Sequence, residues 1–341
     1  MKHAMQNFSY QLLLTTFLIF LFLSSVHAQT EWDSFTLVVD NDIFAPNNLD
    51  RHYTNGIHLR FESSEFEQFT EENTPGFLLP ILSSFDIFQS PTSGYSIAYQ
   101  IGQAMYTPED TSVYEPQPDD EPYAGLIYGS VDFKVKKRSY SDTFTVLAGV
   151  VGPLSLAEET QKFVHKHIVG DPLNGWQYQL KNEPVLNIMY ERRWPVYGGR
   201  IGSLINYEVL GIANGKLGTM LTEAAAGGAL IFAHNKATHD KLASASHPGS
   251  FYFFRNDIPN GLYAYVGGVG RLTLRNIFLD GNTFRESYSV ERRPLHQALF
   301  YGLGYAAKKW MVSVAWFKES RRFKTQREGM FYGSLMFSYR Y

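Results

Sequence analysis

The stretch LFYGLGYAAKKWMVSVAW, residues 299–316, alternates between two kinds of side chain. Leu299, Tyr301, Leu303 and Tyr305 form one apolar row, and Gly302 and Gly304 lie in the row between them. A similar alternation runs from Trp310 to Trp316 after the short link 307–309. An alternation with a period of two predicts β-strands whose two faces meet different environments.

The same period recurs along most of the chain, for example in the stretches 95–103, 205–209 and 335–341. Counting such runs predicts strands at 33–41, 53–62, 94–105, 124–136, 142–151, 177–193, 200–210, 216–232, 261–275, 295–306, 310–320 and 329–341. The total is about twelve, an even number of the kind that closed single-chain bacterial barrels usually have.

A soluble β-sandwich also alternates, so the period alone leaves two fold classes open. Three features favour a membrane barrel. Tyr, Trp and Phe occur near strand ends, as interfacial aromatic girdles require. The opposite faces carry Gly, Ser, Asn and Glu, which suit a polar barrel interior better than a packed core. The chain also alternates up to Tyr341, which resembles the assembly signal of outer-membrane barrels.

We therefore predict an all-β fold, a transmembrane antiparallel β-barrel of about twelve strands with a short helix in a surface loop. A secreted soluble β protein is the alternative. The C-terminal strand is expected to engage the barrel assembly machinery, and we expect a monomer. Residues 29–341 are expected to form this barrel domain.

The first 28 residues predict export. A lysine and a histidine precede the apolar run 12–23, and Val26 and Ala28 suit cleavage before Gln29. The run is short of the roughly 20 residues that a spanning helix needs. We predict a signal peptide at 1–28, removed on delivery to the outer membrane of a Gram-negative bacterium. A retained anchor helix is the alternative.

Composition excludes several classes of function. The chain has no cysteine, so disulfides and thiolate chemistry are excluded. A formal net charge of -3 excludes a strongly basic nucleic-acid binder. The sequence contains no G-x-S-x-G elbow, no P-loop and no H-E-x-x-H, so a serine nucleophile has no motif support.

The strand count predicts which connections face the cell surface. With the N-terminus in the periplasm, the connections after odd-numbered strands lie outside, and the short links 137–141, 194–199 and 307–309 lie on the periplasmic side. The long segments 63–93 and 233–260 also fall on the periplasmic side, where short turns are the rule. They are either insertions or a sign that the count is wrong there.

One segment breaks the period of two. Ser155-Leu156-Ala157-Glu158 reads as a capping box, and 157–168 is predicted as a helix in the third surface loop. Gln161 and His165 are four residues apart and share a helix face. His165 is the best candidate for a general base because imidazole titrates near neutrality. A solvated surface histidine is the alternative.

A second polar cluster lies where the first two strands meet. The first strand ends in Asp40-Asn41-Asp42, and the second begins Tyr53-Thr54-Asn55-Gly56. Carboxylate and amide oxygens are ligands that Ca²⁺ accepts, so these residues with Asp171 predict a hard-cation site. An Asp-rich turn is the alternative. Strand parity places Asp40, Asp42 and Thr54 on the lumen side but Asn41 on the other side. A bulge or twist at the strand end is therefore expected to turn Asn41 inward.

Four arginines lie in the predicted surface loops, as the pairs Arg292-Arg293 and Arg321-Arg322. Guanidinium groups there could meet the phosphates of lipopolysaccharide. Rim charges without a ligand are the alternative.

Several motifs occur together in the N-terminal half and resemble the LpxR-type lipid A 3'-O-deacylase family of the outer membrane. They are D-N-D (40–42), Y-T-N-G (53–56), Q-x-M-Y-T-P (103–108), P-Y-A-G (122–125), G-P-x-S-L-x-x-E-x-Q-x-x-x-H (152–165) and G-W-Q-Y-Q-L-K-N-E-P (175–184). The resemblance implies a twelve-stranded barrel that removes the 3'-linked acyloxyacyl chain of lipid A with Ca²⁺.

The resemblance also implies roles for individual residues. Those residues are His165, Asn41, Gln161 and Thr54 for catalysis, and Asp42 and Asp171 for the metal. His165 would activate a water, and a metal held at Asp42 would stabilise the oxyanion. Substrate-binding residues are not implied. One departure concerns Glu121, which occupies a position before P-Y-A-G where the family usually has a basic residue.

Two other functions remain open on the residues. One is a barrel phospholipase or esterase. The other is a porin-like barrel without catalysis, although about twelve strands make a narrow lumen.

Overall fold

The chain folds as a closed antiparallel barrel of twelve strands in the computed structural model. The structure describes residues 31–45, 52–76, 78–89, 94–166, 174–234 and 261–341, together with four two-residue strands between 242 and 255. The predicted signal peptide and Asp171 lie outside the described residues. The predicted fold class and strand count are confirmed.

The barrel strands are numbered in chain order. They are β1 (Trp32–Asn41), β2 (His52–Ser63), β3 (Gly94–Thr107), β4 (Ala124–Lys136), β5 (Ser141–Val151), β6 (Glu183–Ile201), β7 (Ile205–Gly218), β8 (Leu221–Ala233), β9 (Gly261–Asn276), β10 (Leu295–Ala306), β11 (Trp310–Glu319) and β12 (Met330–Arg340). Each pairs with its neighbours in the chain, and β12 pairs with β1 to close the barrel.

The predicted sixth, seventh and eighth strands, at 177–193, 200–210 and 216–232, have wrong bounds. The predicted link 194–199 lies inside β6, and the turn that follows is at 202–204. The sequence PVYGG reads as a turn, but here it forms an irregular stretch of β6, with a register shift between Pro195 and Tyr197. A bulge accommodates proline in a strand. Residues 176–178, placed near the start of the predicted sixth strand, form a 3-10 turn (Trp176–Tyr178) instead.

We call the barrel end with the connections after odd-numbered strands the upper end, and the opposite end, which holds the start of β1, the lower end. In the part of the chain that the structure describes, three short helices lie in connections. Helix α1 (Leu79–Leu82) is at the lower end, and α2 (Ala157–Val164) and α3 (Ile277–Asp280) are at the upper end. Among the described residues, none of the helices has the length and apolar character needed to cross a membrane.

Helix α2 begins differently from its prediction. Its N-cap is Leu156, in the left-handed region at φ 58°, and no side chain caps it. Ser155 belongs to a preceding 3-10 turn (Pro153–Ser155), and Glu158 pairs with Lys162 one turn ahead. The predicted capping box is therefore wrong, because Ser155 belongs to the 3-10 turn and is not the N-cap residue of the helix. Of the predicted range 157–168, the last two residues lie outside the described part of the chain.

The barrel lumen is filled with side chains. On one side Arg60 pairs with Asp132, whose other oxygen accepts from Thr145 Oγ1 at 2.7 Å. On the other side Lys216 pairs with Glu223 at 3.2 Å. Buried aromatic and aliphatic side chains fill the remaining lumen, including Tyr263, Tyr265, Phe300, Phe317 and Tyr332. The interior is thus both polar and packed, whereas the sequence predicted a polar interior in place of a packed core.

The long segment after β2 packs on the outside of the barrel. We call residues 64–89 the lower lobe; residue 77 within it is outside the described part. Its apolar side chains cover Tyr95, Ile97 and Tyr99 of β3 and Phe133 of β4. Gln100 bonds to Tyr128 in the lumen, so the odd-numbered residues of β3 face outward. The segment is therefore an insertion, and the strand count was not in error.

Candidate active site

Helix α2 lies on the outer wall of the barrel at the upper end of β3 and β4. Gly102 faces His58 and Tyr128 in the lumen, so Gln103 faces outward. Gln103 Nε2 donates to the backbone oxygen of Ser155 at 2.6 Å, just before α2. A Cβ built on outward-facing Gly125 would collide with Ala157 Cβ. Glycine at this position lets the helix lie directly against the wall.

Gln161 is held by a tryptophan from the same connection. Trp176 Nε1 donates to Gln161 Oε1 at 2.7 Å, and both side chains are buried. Trp176 also packs against Tyr123 with ring centroids 5.0 Å apart, in a cluster that includes Met105 of the outer wall. The indole therefore fixes the orientation of the carboxamide, with its oxygen engaged and its NH₂ group turned the other way.

His165 follows on the same face of the helix. Its backbone N–H bonds to the carbonyl oxygens of Gln161 and Lys162, which carries the helical path to the histidine. His165 is 7% exposed and Gln161 is 3% exposed, whereas Lys162 and Phe163 between them are exposed. The alternative of a solvated surface histidine is therefore wrong. His167, the next histidine, lies outside the described residues.

The first strand ends without the irregularity that its sequence predicted. Asn41 pairs in register with Gly333 on one side and Asn55 on the other, so it keeps the outward parity of β1. Its Oδ1 accepts from the backbone N–H of Ile43 at 2.8 Å and caps a 3-10 turn (Asp42–Phe44). The expected twist at Asn41 is absent. Asp40, by contrast, faces the lumen as predicted, where it accepts from Tyr53 Oη at 2.8 Å.

The irregularity lies in β2, at Thr54. Tyr53 pairs with Tyr106 and Asn55 pairs with Met105, so Thr54 is the extra residue of a β-bulge. Its Oγ1 lies 2.7 Å from Oγ1 of Thr107, which belongs to the outward row of β3. The prediction that Thr54 faces the lumen is therefore wrong. The bulge brings its hydroxyl to the same side of the wall as Asn41.

One row of strand partners links the two halves of the site. Asn41 pairs with Asn55, Asn55 with Met105, and Met105 with Gly125, across β1 to β4. Neighbouring strands are about 4.8 Å apart, so the row is roughly 14 Å long. Thr54 adjoins the row near one end and α2 covers the other. The structure thus places Asn41, Thr54, Gln161 and His165 along one short stretch of the outer rim.

The metal part of the prediction rests on Asp42. This carboxylate lies in the 3-10 turn after β1 and is 1% exposed. Carboxylate, amide and hydroxyl oxygens from Asp42, Asn41 and Thr54 are donors of the kind that Ca²⁺ takes. Asp171 lies outside the described residues. Among the described residues there is no group of three or more His, Cys, Asp or Glu that could hold a metal. The donor chemistry fits Ca²⁺.

Two contacts of the site were missed by reasoning from the sequence. Trp176 and Thr107 both lie inside the quoted motifs, G-W-Q-Y-Q-L-K-N-E-P and Q-x-M-Y-T-P. Each holds a predicted site residue, namely Gln161 and Thr54. The motifs marked the segments, but only the fold shows which members touch.

Glu121, which stands where the family usually has a basic residue, is itself paired with a basic side chain. It is fully buried, 3.2 Å from His52 Nδ1, and accepts from Arg322 Nη2 at 2.6 Å. Burial lowers the pKa of Arg322, but the attraction of Glu121 and Glu319 outweighs it and raises the pKa above its ordinary value. A cation from the connection between β11 and β12 therefore accompanies the acidic residue at this position.

The arginines proposed to meet phosphates have structural partners. Arg292 binds Asp280 at 3.1 Å, and Arg293 donates to the backbone oxygen of Phe323 at 3.2 Å. With Arg322 buried, only Arg321 of these four is an exposed side chain for which the structure records no bond. Arg292, Arg293 and Arg322 are thus engaged in contacts within the protein.

One family model matches nearly the whole chain. The family model described as "Outer membrane protein LpxR" matches residues 12–341. The solved structure of LpxR from Salmonella typhimurium matches with a TM-score of 0.72 at 15% identity, over 90% of this chain and 100% of that chain. The β domain of the Bordetella autotransporter BrkA gives a TM-score of 0.41 at 8% identity, over 91% and 100%. No curated protein matches the sequence.

Proposed function

Because the chain belongs to the LpxR family of outer membrane proteins, we propose that it is a lipid A 3'-O-deacylase. This enzyme is a carboxylic ester hydrolase that removes the 3'-linked acyloxyacyl chain of lipid A. The observation that carries the proposal is the position of Thr54, Gln161 and His165 on the outer wall at the upper rim. A lipid in the outer leaflet meets a barrel at its outer wall, not in its lumen.

The surroundings of the site suit a lipid substrate. Phe163 projects from α2 with 64% exposure, and Leu156 at the helix start is also exposed. Ile43 and Phe44 are exposed in the same 3-10 turn that carries Asp42. Large exposed apolar side chains around a polar centre fit a substrate with acyl chains and a polar headgroup. The acyl chains can stay in the hydrocarbon layer while the ester reaches His165.

The proposed chemistry uses one histidine and one water. His165 takes a proton from the water as its oxygen attacks the ester carbonyl. The bond between the acyl carbon and the sugar oxygen then breaks, and His165 gives its proton to that oxygen, which leaves as the sugar hydroxyl. Gln161, whose carboxamide is held by Trp176, lies on the same face of α2 as His165. The Thr54 hydroxyl lies on the outer wall near this face. Ca²⁺ held by Asp42 with Asn41 would supply Lewis-acid stabilisation of the oxyanion.

Orientation and assembly are part of the proposal. The upper end faces the outside of the cell, with the signal peptide 1–28 removed before insertion. The C-terminal strand β12, which pairs with β1 to close the barrel, is the segment expected to engage the barrel assembly machinery. We expect a monomer. The barrel has no need of a second chain to cover strand edges, because its sheet is closed.

The test uses two substrates and two metal conditions. Purified protein in mixed micelles is given lipid A or a diacyl phospholipid, with Ca²⁺ or with excess chelator, and the products are weighed by mass spectrometry. We expect lipid A to lose one acyloxyacyl chain only when Ca²⁺ is present. Cleavage of phospholipid without cleavage of lipid A would replace the proposal with a phospholipase. Hydrolysis that persists in chelator would remove Ca²⁺ from the mechanism.

A further inference from the structure

A groove lies between the lower lobe and the barrel wall, at the end opposite the candidate active site. Its volume is about 240 Å³. Phe85, Ile87 and Phe88 of the lobe form one side, and Phe144 of β5 and Tyr190 of β6 form the other, together with Asp142, whose carboxylate is paired with Arg192. Phe144 pairs with Tyr190 and follows the parity opposite to lumen-facing Thr145, so this wall faces lipid.

The lobe is firmly attached beside the groove. Its backbone begins as a bridge in which Phe66 and Tyr95 exchange two hydrogen bonds of 2.9 Å. Phe69 packs against Phe88 and Phe133 at centroid distances of 5.7 and 5.8 Å. Phe88 in turn lies 6.1 Å from Phe144. The groove is thus a gap between two ordered surfaces.

The position of the lobe puts the groove at the edge of the membrane. The lobe covers the stretch from Tyr95 to Tyr99, near the lower end of the fourteen-residue strand β3. At about 3.3 Å per residue, it reaches roughly 15 Å up the wall. The groove opens beside exposed Tyr190 and Ile188, which continue the apolar band of β6. Its open side therefore faces hydrocarbon.

Cations lie below the apolar groove. Arg192 binds Asp142 through two bonds of 2.7 and 2.8 Å and lies 4.1 Å from the centroid of the Tyr140 ring. Lys137 lies over the same ring at 5.4 Å, and Arg138 next to it is exposed. Basic residues and tyrosine below an apolar wall form the arrangement that meets a lipid headgroup at the interface.

We propose that this groove binds one acyl chain of a glycerophospholipid from the leaflet at the lower end, with the phosphate beside Lys137 and Arg138. Lipid is the occupant that the position dictates, because the groove is continuous with the lipid-facing wall. The apolar lining takes the chain, and the cations take the headgroup. The lobe and one phospholipid together form the lower outer surface of the barrel beside β5 and β6. The site is separate from the proposed deacylase centre.

Native mass spectrometry of the whole protein tests this site. The protein is equilibrated with phosphatidylethanolamine in detergent, and retained lipid is counted as collision energy rises. Ile87→Trp fills the groove, and Leu303→Trp is the matched control, because Leu303 is exposed on the outer wall of β10. We expect wild type and L303W to keep one phospholipid at energies where I87W keeps at least tenfold less.

Several outcomes would overturn the site. They are equal retention by I87W and wild type, retention of detergent alone, and, when lipid A is added at the same concentration as a competitor, retention of lipid A in place of phospholipid. The heat-dependent gel mobility of the barrel verifies that each variant is folded. Should I87W fail to fold, Phe85→Ala removes an exposed lip of the groove and is expected to weaken retention severalfold. Deacylation by I87W is measured in parallel and is expected to equal that of wild type, so the two proposals fail separately.

Discussion

Thr54 Oγ1 and Thr107 Oγ1 lie 2.7 Å apart at the upper end of β2 and β3, where the strand register breaks. The break gives β2 one extra residue, and that residue is Thr54. Without it, alternation would put the threonine in the lumen, away from Asn41 and α2. The bulge therefore assembles the candidate site on the outer wall, which is the side that a membrane lipid reaches.

Thr54→Ala is expected to lower kcat for lipid A deacylation at least tenfold, a loss of about 1.4 kcal/mol of transition-state stabilisation. Thr54→Ser keeps the hydroxyl and is expected to retain most activity. The matched control is Thr36→Ala, which removes a buried hydroxyl bonded to Ser338 at 2.9 Å in the lumen. Initial rates of lipid A deacylation, measured by mass spectrometry for each variant and for wild type, test this prediction. Equal loss in T36A and T54A would assign the effect to general damage.

Gln161→Ala leaves the buried Trp176 N–H without its acceptor, which costs about 1–3 kcal/mol of stability. Trp176→Phe removes the donor as well, so the double variant is expected to recover stability but not activity. Denaturant unfolding and deacylation rates are measured for both singles and the double. If the two stability losses simply add, the hydrogen bond between Trp176 and Gln161 does not couple them.

Much of the barrel could be predicted from the sequence, because successive side chains of a β-strand point to opposite faces of the sheet. The period of two places Phe35, Leu37 and Val39 on one face and Asp40 on the other, and the pairing agrees. The bulge at Thr54 was not predictable, because register depends on which residues of β3 oppose it. The bounds of β6 were missed because PVYGG has the composition of a turn.

The sequence named candidate members of the site, but where they lie on the barrel depends on the fold. The helix motif brought Gln161 and His165 to one face, since four residues make about one turn. Its attachment to the outer wall depends on Gly125 and Gln103, which contact the segment through the fold. The ion pair between Glu121 and Arg322 joins residues 201 apart in the chain. A local sequence pattern cannot predict such a pair.

Glu121→Ala is expected to destabilise the barrel strongly, because it leaves the buried Arg322 charge without its partner. Breaking a buried ion pair in this way costs about 3–5 kcal/mol. The double variant Glu121→Gln with Arg322→Gln removes both charges and is expected to be more stable than E121A. Urea unfolding of the barrel in lipid bilayers, followed by tryptophan fluorescence, makes the comparison. E121A as stable as wild type would show that the pair is not formed.

The filled lumen predicts that the protein is not a porin. Paired side chains such as Arg60 with Asp132 and Lys216 with Glu223 occupy the interior together with packed aromatic rings. Planar-bilayer recordings of the purified protein are therefore expected to show no steady conductance. A stable ohmic channel in 1 M salt, on the order of that of an open porin, would favour the porin-like alternative.

The central claim is that His165 activates water for hydrolysis of lipid A. The most direct measurement is the mass of lipid A from cells that produce wild type, His165→Ala or Lys162→Ala. Lys162 is exposed on the same helix and serves as the control. The account predicts lipid A lacking its 3'-linked acyl pair with wild type and K162A, and intact lipid A with folded H165A. Deacylated lipid A in cells with folded H165A would contradict it.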